Sequence, residues 1–431
     1  MRSVGFYTLG CKVSQYETEA IAEEFERRGY ALLDFSQKND VYVINTCTVT
    51  AEADRKSRQM IRRAKKINPD ARIIVCGCYS QRSPEEVLGI DGVDAVIGSS
   101  GKMKAPDIAE RLFSGEGKIL SVTDINVEPF EDMKITRGPR TRVYVKIEDG
   151  CESKCTYCAI PSARGKVRSK PRESVIEEIE ALSKSGISEV VLTGIETGSY
   201  GVDFKNGYRL KDLISELDGR KSASLIRLGS LAPELIDADF VEAVKGLKIL
   251  APHFHLSIQS GSDNILRKMK RRYSRAMALE NIKRIRAAIP DATFTTDVMV
   301  GFPGESDEDF LDTVSFVKEV GFLDAHVFAY SKRKNTPAES FPDQVPEDIK
   351  RQRSEMLIGV VKEVRHSVLS ELVKKGEALK CIFEERRADG WYGHASNFAD
   401  VVVSSEENLH GLQKSVLPLY VRDNVIYGKL I

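Results

Sequence analysis

Three cysteines lie close together near the middle of the chain, in the run CESKCTYC at positions 151–158. Thiolates at this CxxxCxxC spacing can hold one face of a cubane iron–sulfur cluster and leave its fourth iron without a protein ligand. An open iron can chelate a small molecule through an amine and a carboxylate. The spacing therefore predicts a catalytic [4Fe–4S] cluster at Cys151, Cys155 and Cys158. A structural zinc site is the alternative, although zinc usually takes four ligands and this segment offers three cysteines and no histidine.

Three further cysteines, Cys11, Cys47 and Cys78, are far apart in sequence, yet each follows an apolar run typical of a strand. The runs SVGFYTL, VYVINT and RIIVCG alternate with helical patterns, which predicts a doubly wound parallel sheet. The loops after such strands open on one edge of the sheet, so we expect these cysteines to converge on a second iron–sulfur cluster. Buried, unreactive cysteine is the alternative, and it suits Cys76 and Cys381, which lie within apolar strand patterns.

Six further βα units are predicted over residues 142–331. The strand-like runs there are VYVKIE, EVVLTGI, SLIRLGSL, HFHLSIQ, TFTTDVMVG and DAHVFAYS. This series favours a partial parallel barrel with its chemistry at the carboxyl ends of the strands. After a long helix the chain changes to short alternating strands, which predict a small five-stranded β-barrel.

The whole chain is therefore predicted to be an α/β protein with four segments. These are a doubly wound parallel-sheet domain at residues 1–113, a linker at 114–139, a barrel core at 140–368 and the small β-barrel at 369–431. No apolar stretch approaches the roughly 18 residues that cross a bilayer, and the N-terminus has no signal-peptide pattern. We expect a cytoplasmic protein without a membrane partner, in which cysteines stay reduced and serve metal binding or catalysis.

The formal net charge is zero, but basic residues cluster at 55–72, 164–172 and 267–275. Such clusters are either solvated helix faces or local surfaces for a polyanion. For a nucleic-acid partner, we expect the clusters at 55–72 and 164–172 to contribute more to affinity than the terminal barrel.

Residues 142–331 resemble the core of the radical S-adenosylmethionine (SAM) superfamily, through the CESKCTYC motif and the six predicted strands. The resemblance implies that SAM binds at the open iron and is cleaved to a carbon radical by one electron. It also implies further SAM contacts, for each of which packing or loop capping is the alternative: Tyr157, Thr193, Gly194, Gln259 and Asp297.

The chain resembles the methylthiotransferase family over essentially its whole length. GCKVSQYET, INTCTVT and VCGCYSQ are similar to that family's N-terminal domain, DGCESKCTYCAIPSARG to its radical core, and residues 369–431 to its RNA-holding TRAM barrel. The resemblance implies two [4Fe–4S] clusters, an electron donor that the sequence does not identify, and two SAM molecules. One SAM methylates sulfur at the second cluster, and the other is cleaved at the first.

Three branches of the family differ in substrate. LGCKVSQYETEAI and HVFAYSKRKNTPA are most similar to the MtaB-type branch, which methylthiolates N6-threonylcarbamoyladenosine at position 37 of tRNA, next to the anticodon. The alternatives are isopentenyladenosine in tRNA, an aspartate of a ribosomal protein and, from another class, an RNA-binding protein with structural metal and no turnover.

The sequence departs from the MtaB-type pattern at Ser14 for Asn, Glu196 for His, Gly229 for Ser, Ala232 for Glu and Ala329 for Pro. The threonyl carboxylate of the substrate needs a cation, and Arg164, Arg168 and Arg333 are the candidates from their predicted loop positions. Glu196 would repel that carboxylate, so we expect it to point away or to pair with one of these arginines.

Overall fold

The computed structural model describes residues 1–138 and 141–431. Its first part is a parallel sheet of six strands in the order β2-β1-β3-β4-β5-β6. Apolar cores lie on both faces of this sheet, which is why the strand sequence VYVINT is buried at every position. The elements are β1 (Ser3–Thr8), α1 (Lys12–Arg27), β2 (Ala31–Leu32), β3 (Val41–Thr46), α2 (Ala51–Ile67), β4 (Arg72–Gly77), α3 (Cys78–Arg82), α4 (Pro84–Leu88), β5 (Ala95–Ile97), α5 (Ala105–Phe113) and β6 (Ile119–Ser121).

Helix α2 shows how local sequence sets the ends of these elements. The Thr50 side chain accepts a hydrogen bond from the backbone N–H of Ala53 and caps the first turn. Acidic residues occupy the first turn and Lys65 and Lys66 the last, which complements the helix dipole. The helix ends at Ile67, because the proline that follows Asn68 disfavours helical backbone at that asparagine.

The second part is a series of parallel strands in the order β7-β10-β11/β12-β13-β14-β15, in which Gly229 alone separates β11 from β12. A short antiparallel pair, β8 and β9, lies beside it. The elements are β7 (Arg142–Lys146), β8 (Glu148–Asp149), α6 (Ile160–Arg164), β9 (Arg168–Ser169), α7 (Arg172–Lys184), β10 (Glu189–Thr193), α8 (Leu210–Arg220), β11 (Ile226–Leu228), β12 (Ser230–Leu231), α9 (Ala238–Val244), β13 (His253–Gln259), α10 (Asp263–Lys268), α11 (Arg275–Ala288), β14 (Thr293–Val300), α12 (Asp307–Val320) and β15 (Asp324–Ala329).

The third part is a long helix followed by a closed five-stranded barrel in the order β16-β17-β18-β20-β19. The elements are α13 (Glu347–Lys375), β16 (Leu379–Arg387), β17 (Gly390–Ala395), β18 (Asp400–Val403), β19 (Gln413–Arg422) and β20 (Val425–Leu430). The predicted α/β class, with a doubly wound domain, a partial barrel and a small terminal β-barrel, is thus confirmed.

The turn between β17 and β18 packs against the amino-terminal ends of the core strands. Phe398 stacks on His253, the first residue of β13, with ring centroids 4.5 Å apart. Arg227 donates to the Ser396 carbonyl at 3.0 Å and to Glu189, the first residue of β10, at 2.7 Å. The terminal barrel therefore covers the end of the core barrel that lies opposite the carboxyl ends of its strands.

The segment predicted as a linker, residues 114–139, adds an edge strand to the first sheet through β6. Its Met133 and Ile135 are buried in the same apolar core as Tyr16 of α1. The predicted boundary with the core falls at Pro139 and Arg140, which lie outside the described residues. Among the helices of the described residues, none has the length and apolar character needed to span a membrane.

Candidate metal centre

Cys11, Cys47 and Cys78, here called the strand-end set, lie at one edge of the first sheet. They follow β1, β3 and β4, which are adjacent strands, so their loops are neighbours. Cys11 is the N-cap of α1, Cys47 directly follows β3, and Cys78 begins α3. Burial, together with the nearby sulfurs of Cys78 and Cys11, raises the pKa of Cys47 to about 12. The structure thus brings together the three residues whose convergence the sequence predicts.

Glycine precedes Cys78 for a steric reason. Gly77 has a φ of +103°, and a Cβ atom there would lie 2.5 Å from the carbonyl oxygen of Thr46. Only glycine allows the end of β4 to lie this close to the end of β3. The glycine of the CGC motif therefore places Cys78 beside Cys47.

Cys151, Cys155 and Cys158, here called the loop set, lie between β8 and α6. Backbone N–H groups donate to two of these sulfurs, Ser153 to Cys151 and Ile160 to Cys158, both at 3.4 Å. Burial, followed by the sulfurs of Cys155 and Cys151, raises the pKa of Cys158 to about 12. N–H donors directed at sulfur stabilise thiolates, and thiolates are the form of cysteine that binds metal.

Arg164 joins the two cysteine sets. It is completely buried at the end of α6, the helix that follows Cys158. Its Nε donates to Sγ of Cys78 at 3.1 Å, and its Nη1 donates to Glu17 at 2.6 Å and to Asp149 at 3.2 Å. Glu17 lies on the helix that begins after Cys11, and Asp149 lies just before the loop set. One ion-paired guanidinium therefore connects Cys78 of the strand-end set to Asp149, two residues before the loop set.

Glu17 is the central anion of a buried charge network. It accepts hydrogen bonds from Lys146 at 2.9 Å, from Lys102 and from Arg164. Burial alone would raise the pKa of Glu17, but these cations hold it well below its usual range. The network is therefore charged in the folded protein, and the mutual pairing of its members offsets the cost of burying them.

The arrangement of side chains argues against a site for one metal ion. With zinc–sulfur bonds of about 2.3 Å, the sulfurs of a tetrahedral site are about 3.8 Å apart. Within ranges 1–138 and 141–431, no three His, Cys, Asp or Glu side chains are arranged to hold a single ion. Thiolates of a cubane bind different irons, so three cysteines are the ligand type and number that a [4Fe–4S] cluster with one open iron takes.

Of the residues predicted to contact SAM, Tyr157 lies between two cysteines of the loop set, and Thr193 and Gly194 lie at the end of β10. Tyr157 packs edge-on against Phe302, with ring centroids 6.4 Å apart. The Thr193 carbonyl accepts from Ile147 at 2.9 Å. At Gly194 a Cβ atom would lie 2.5 Å from the Glu148 carboxylate, so a larger residue would collide with it.

The other two predicted contacts lie on β13 and β14. Gln259 ends β13 with a φ of +66°, a strained conformation for this residue type. The Asp297 carboxylate lies 3.1 Å from His255 and 3.4 Å from His326. Burial alone would raise the pKa of Asp297, but the two histidines hold it below its usual range. For all five residues, contact with SAM stays a prediction.

Two family models match the chain. The radical SAM superfamily model matches residues 145–317, and the model of uncharacterized protein family UPF0004 matches residues 3–98. The threonylcarbamoyladenosine tRNA methylthiotransferase MtaB of Bacillus subtilis (strain 168) is 40% identical over 419 residues, covering 95% of this chain and 92% of the relative. The chain belongs to the radical SAM tRNA methylthiotransferase family.

Other members of this family show similar coverage. The MtaB of Aquifex aeolicus (strain VF5) is 38% identical over 391 residues, covering 89% of this chain and 93% of the relative. The tRNA-2-methylthio-N(6)-dimethylallyladenosine synthase of Pelotomaculum thermopropionicum is 33% identical over 429 residues, covering 98% of this chain and 95% of the relative. The predicted enzyme class, a radical SAM methylthiotransferase, is confirmed by these matches.

A solved structure with a similar fold is the radical SAM methyltransferase TsrM of Kitasatospora setae, with cobalamin and a [4Fe–4S] cluster bound. It matches with a TM-score of 0.57 at 14% identity, covering 79% of this chain and 77% of TsrM. At this identity the likeness establishes a shared fold and no shared substrate.

Three departures of this methylthiotransferase from the MtaB-type pattern lie together. Glu196 is buried, and its Oε1 accepts the backbone N–H of Ala232 at 2.9 Å. A Cβ atom on Gly229 would lie 2.6 Å from Oγ1 of Thr197, so the native Gly fits where a Ser would collide. Burial raises the pKa of Glu196 to about 7. The carboxylate is turned toward the backbone after β12. Of the two expected arrangements, pointing away or pairing with one of the candidate arginines, the contacts agree with the first.

The arginines predicted to bind the threonyl carboxylate have protein partners of their own. Arg333 is buried and donates to Asp54 at 2.6 Å and to Thr48 at 2.7 Å. Arg164 is held in the network of Glu17, and Arg168 donates to the Arg164 carbonyl at 2.7 Å. Arg164 and Arg333 thus already pair with carboxylates inside the protein, and contact of these arginines with the threonyl carboxylate stays a prediction.

Part of the basic cluster at 164–172 is turned inward, whereas Lys166 is exposed. Arg164 and Lys170 are completely buried, and Lys170 donates to Glu178 at 2.6 Å. Arg172 pairs with Glu216 at 2.7 Å. The sequence of this segment alone gives no sign of these pairings, because the carboxylate partners of Lys170 and Arg172 lie on α7 and α8.

Proposed function

We propose that this chain is a cytoplasmic tRNA methylthiotransferase that converts N6-threonylcarbamoyladenosine at position 37, next to the anticodon, to its 2-methylthio derivative. Relatives named for threonylcarbamoyladenosine are 35–40% identical to it. Relatives named for dimethylallyladenosine are 33–34% identical. The higher identity to the first group over most of the chain is the observation that carries the choice of nucleoside.

We assign the loop set to a catalytic [4Fe–4S] cluster that binds SAM and the strand-end set to an auxiliary [4Fe–4S] cluster. When bound, these groups supply a 5′-deoxyadenosyl radical and sulfur for transfer. The connection that Arg164 makes from Cys78 to Asp149 supports a single active site that uses both sets.

The chain's own residues position these groups and keep water away. Arg164 and its carboxylate partners hold the edge of the first sheet against the loop set. The core around Tyr157 supplies an apolar wall for the adenine of SAM. The backbone at Thr193 and Gly194, with Gln259 and Asp297, lines the remainder of the proposed SAM site.

We propose that tRNA contacts the exposed face of α2, which begins close to Cys47. Lys56, Arg62, Arg63 and Lys66 are exposed there, and tRNA phosphates favour such groups.

The terminal barrel packs against the core through Phe398 and Arg227, and we retain the division into segments 1–113, 114–139, 140–368 and 369–431. Turnover also requires a reducing electron donor.

The experiment is a substrate comparison with reconstituted protein under anaerobic, reducing conditions. The substrates are a tRNA that carries threonylcarbamoyladenosine, the same tRNA without the threonylcarbamoyl group, a tRNA that carries isopentenyladenosine, and the ribosomal protein. Nucleosides and peptides are analysed by mass spectrometry. We expect a methylthio product from the first substrate alone.

Any other result would change the proposed substrate or the proposed class of protein. Product from isopentenyladenosine or from the ribosomal protein alone would reject the proposed substrate but retain the chemistry. Binding of tRNA by protein that contains iron but neither cleaves SAM nor forms product would reject the proposed enzyme in favour of an RNA-binding protein.

A further inference from the structure

One arginine of the basic cluster at 267–275 points inward, toward the loop set. Nη1 of Arg271 donates to Sγ of Cys155 at 3.4 Å. Nη2 donates to the Ser257 carbonyl at 2.8 Å, and Nε donates to the Tyr273 hydroxyl at 3.3 Å. The guanidinium also lies over the Tyr273 ring, 5.0 Å from its centroid. These contacts fix the direction of the N–H group that meets the sulfur.

The turn at residues 268–271, which carries Arg271, also holds the loop set in place. The Thr156 backbone N–H donates to the Met269 carbonyl at 3.1 Å, and its hydroxyl donates to the Lys268 carbonyl at 2.9 Å. Lys270 adopts a φ of +57°, which is costly for a residue with a side chain. This strained position immediately precedes Arg271. The turn therefore both anchors the loop and presents the arginine to it.

The charge on Arg271 has a different environment from the charge on Arg164. In the described part of the chain, no carboxylate lies within ion-pair distance of its guanidinium, whereas Arg164 pairs with Glu17 at 2.6 Å. Glu196 interacts with Arg271 only through space. The Cys155 sulfur thus accepts a hydrogen bond from a group that also carries a positive charge.

We propose that Arg271 is a positioning residue that raises the reduction potential of the cluster held by the loop set. The inference rests on the proposed function, which assigns a cluster to these cysteines. A hydrogen bond to a ligand sulfur and a nearby positive charge stabilise the reduced cluster, because it carries one more negative charge. Arg271 thereby makes the electron that SAM cleavage requires easier to accept.

The test isolates this cluster by using the variant Cys11→Ala/Cys47→Ala/Cys78→Ala as the parent. Arg271→Gln removes the positive charge. Arg271→Lys keeps the charge but changes the geometry of the hydrogen-bond donors. Arg272→Gln is the matched control, because Arg272 is the adjacent arginine and is exposed. Midpoint potentials are measured by electron paramagnetic resonance during reductive titration, together with iron content and thermal unfolding.

We expect Arg271→Gln to lower the midpoint potential, Arg271→Lys to lower it less, and Arg272→Gln to leave it unchanged. An unchanged potential in Arg271→Gln with full iron content would overturn the inference. Loss of iron from both Arg271 variants, with full iron in the control, would also overturn it by making Arg271 a structural residue of the loop. A parent protein without iron would instead reject the cluster assignment on which the inference rests.

Discussion

The strand-end set and the loop set are both proposed to hold an iron–sulfur cluster, but the chain builds them in opposite ways. Cys11, Cys47 and Cys78 come from three strands and meet only when the sheet forms, whereas the loop set lies within residues 151–158. Ion pairs around Glu17 support the strand-end set, and neutral hydrogen bonds from Thr156 support the loop set. A convergent site therefore depends on the fold of a whole domain, while a local site depends on a few tethers.

The largest expected effects come from removing each cysteine set separately, because the two variants should lose different reactions. Replacing Cys151, Cys155 and Cys158 with Ala is expected to abolish SAM cleavage and to remove about half of the iron. Replacing Cys11, Cys47 and Cys78 is expected to spare SAM cleavage and to abolish sulfur insertion. Iron content, release of 5′-deoxyadenosine and product are measured for both. Methylthio transfer at the normal level by the second variant would contradict the two-cluster account.

Glu17→Gln tests the support of the strand-end set. The change leaves the buried Arg164, Lys102 and Lys146 without their shared anion, and losing one partner of a buried ion pair costs about 3–5 kcal/mol. Denaturant unfolding measures this loss. The control is Glu26→Gln, which breaks an exposed ion pair worth about 1 kcal/mol or less. Equal losses of unfolding free energy in the two variants would show that the buried network stabilises the fold no more than an exposed ion pair does.

The raised pKa of Glu196 predicts a pH effect on the loop-set side of the molecule. Its folded pKa of about 7 exceeds the unfolded value of 4.5, so the folded state binds more protons between these values. Glu196 therefore lowers stability progressively as the pH rises from about 5 to 8, by at most about 3 kcal/mol.

The measurement compares unfolding of the native protein with Glu196→Gln across that pH range. The stability advantage of the variant is expected to grow with pH. Glu173→Gln, at an exposed carboxylate on α7, is the control and should give a flat difference. A flat difference for Glu196→Gln as well would show that this carboxylate is not buried in the folded protein.

The smallest effect per side chain is expected at the exposed cations of α2. Replacing Lys56, Arg62, Arg63 and Lys66 with Gln should flatten the salt dependence of tRNA affinity, by a slope of about 0.7–0.9 for each phosphate that the variant no longer neutralises. The control replaces Lys184, Lys221 and Lys283, which are exposed elsewhere on the core. An unchanged slope in the α2 variant, with binding abolished by deletion of residues 376–431, would move the interface to the terminal barrel.

The sequence predicts both cysteine sets because their signals are local. The CxxxCxxC spacing is contained in one loop, and each strand-end cysteine directly follows its own apolar run. The parallel strands are predicted for the same reason, since residues buried on both faces give continuous apolar runs such as VYVINT.

The supports of the site could not be predicted, because they join residues that are distant in sequence. Arg164 meets Glu17 across 147 positions, and Lys102 meets Glu17 across 85. Arg164 therefore looks like part of a basic surface until the fold shows its carboxylate partners. In the sequence, Arg271 can be recognised only as one member of a basic cluster. The backbone strain at its neighbour Lys270 has no sequence signature.

The most direct test of the central claim is mass spectrometry of tRNA nucleosides from cells that lack this protein. The cells are complemented with the native chain, with the loop-set triple variant or with the strand-end triple variant. We expect 2-methylthio-N6-threonylcarbamoyladenosine to be restored by the native chain alone, with the unmethylthiolated nucleoside accumulating in both variants. Restoration by either variant, or no change in this nucleoside when the native chain is absent, would contradict the account.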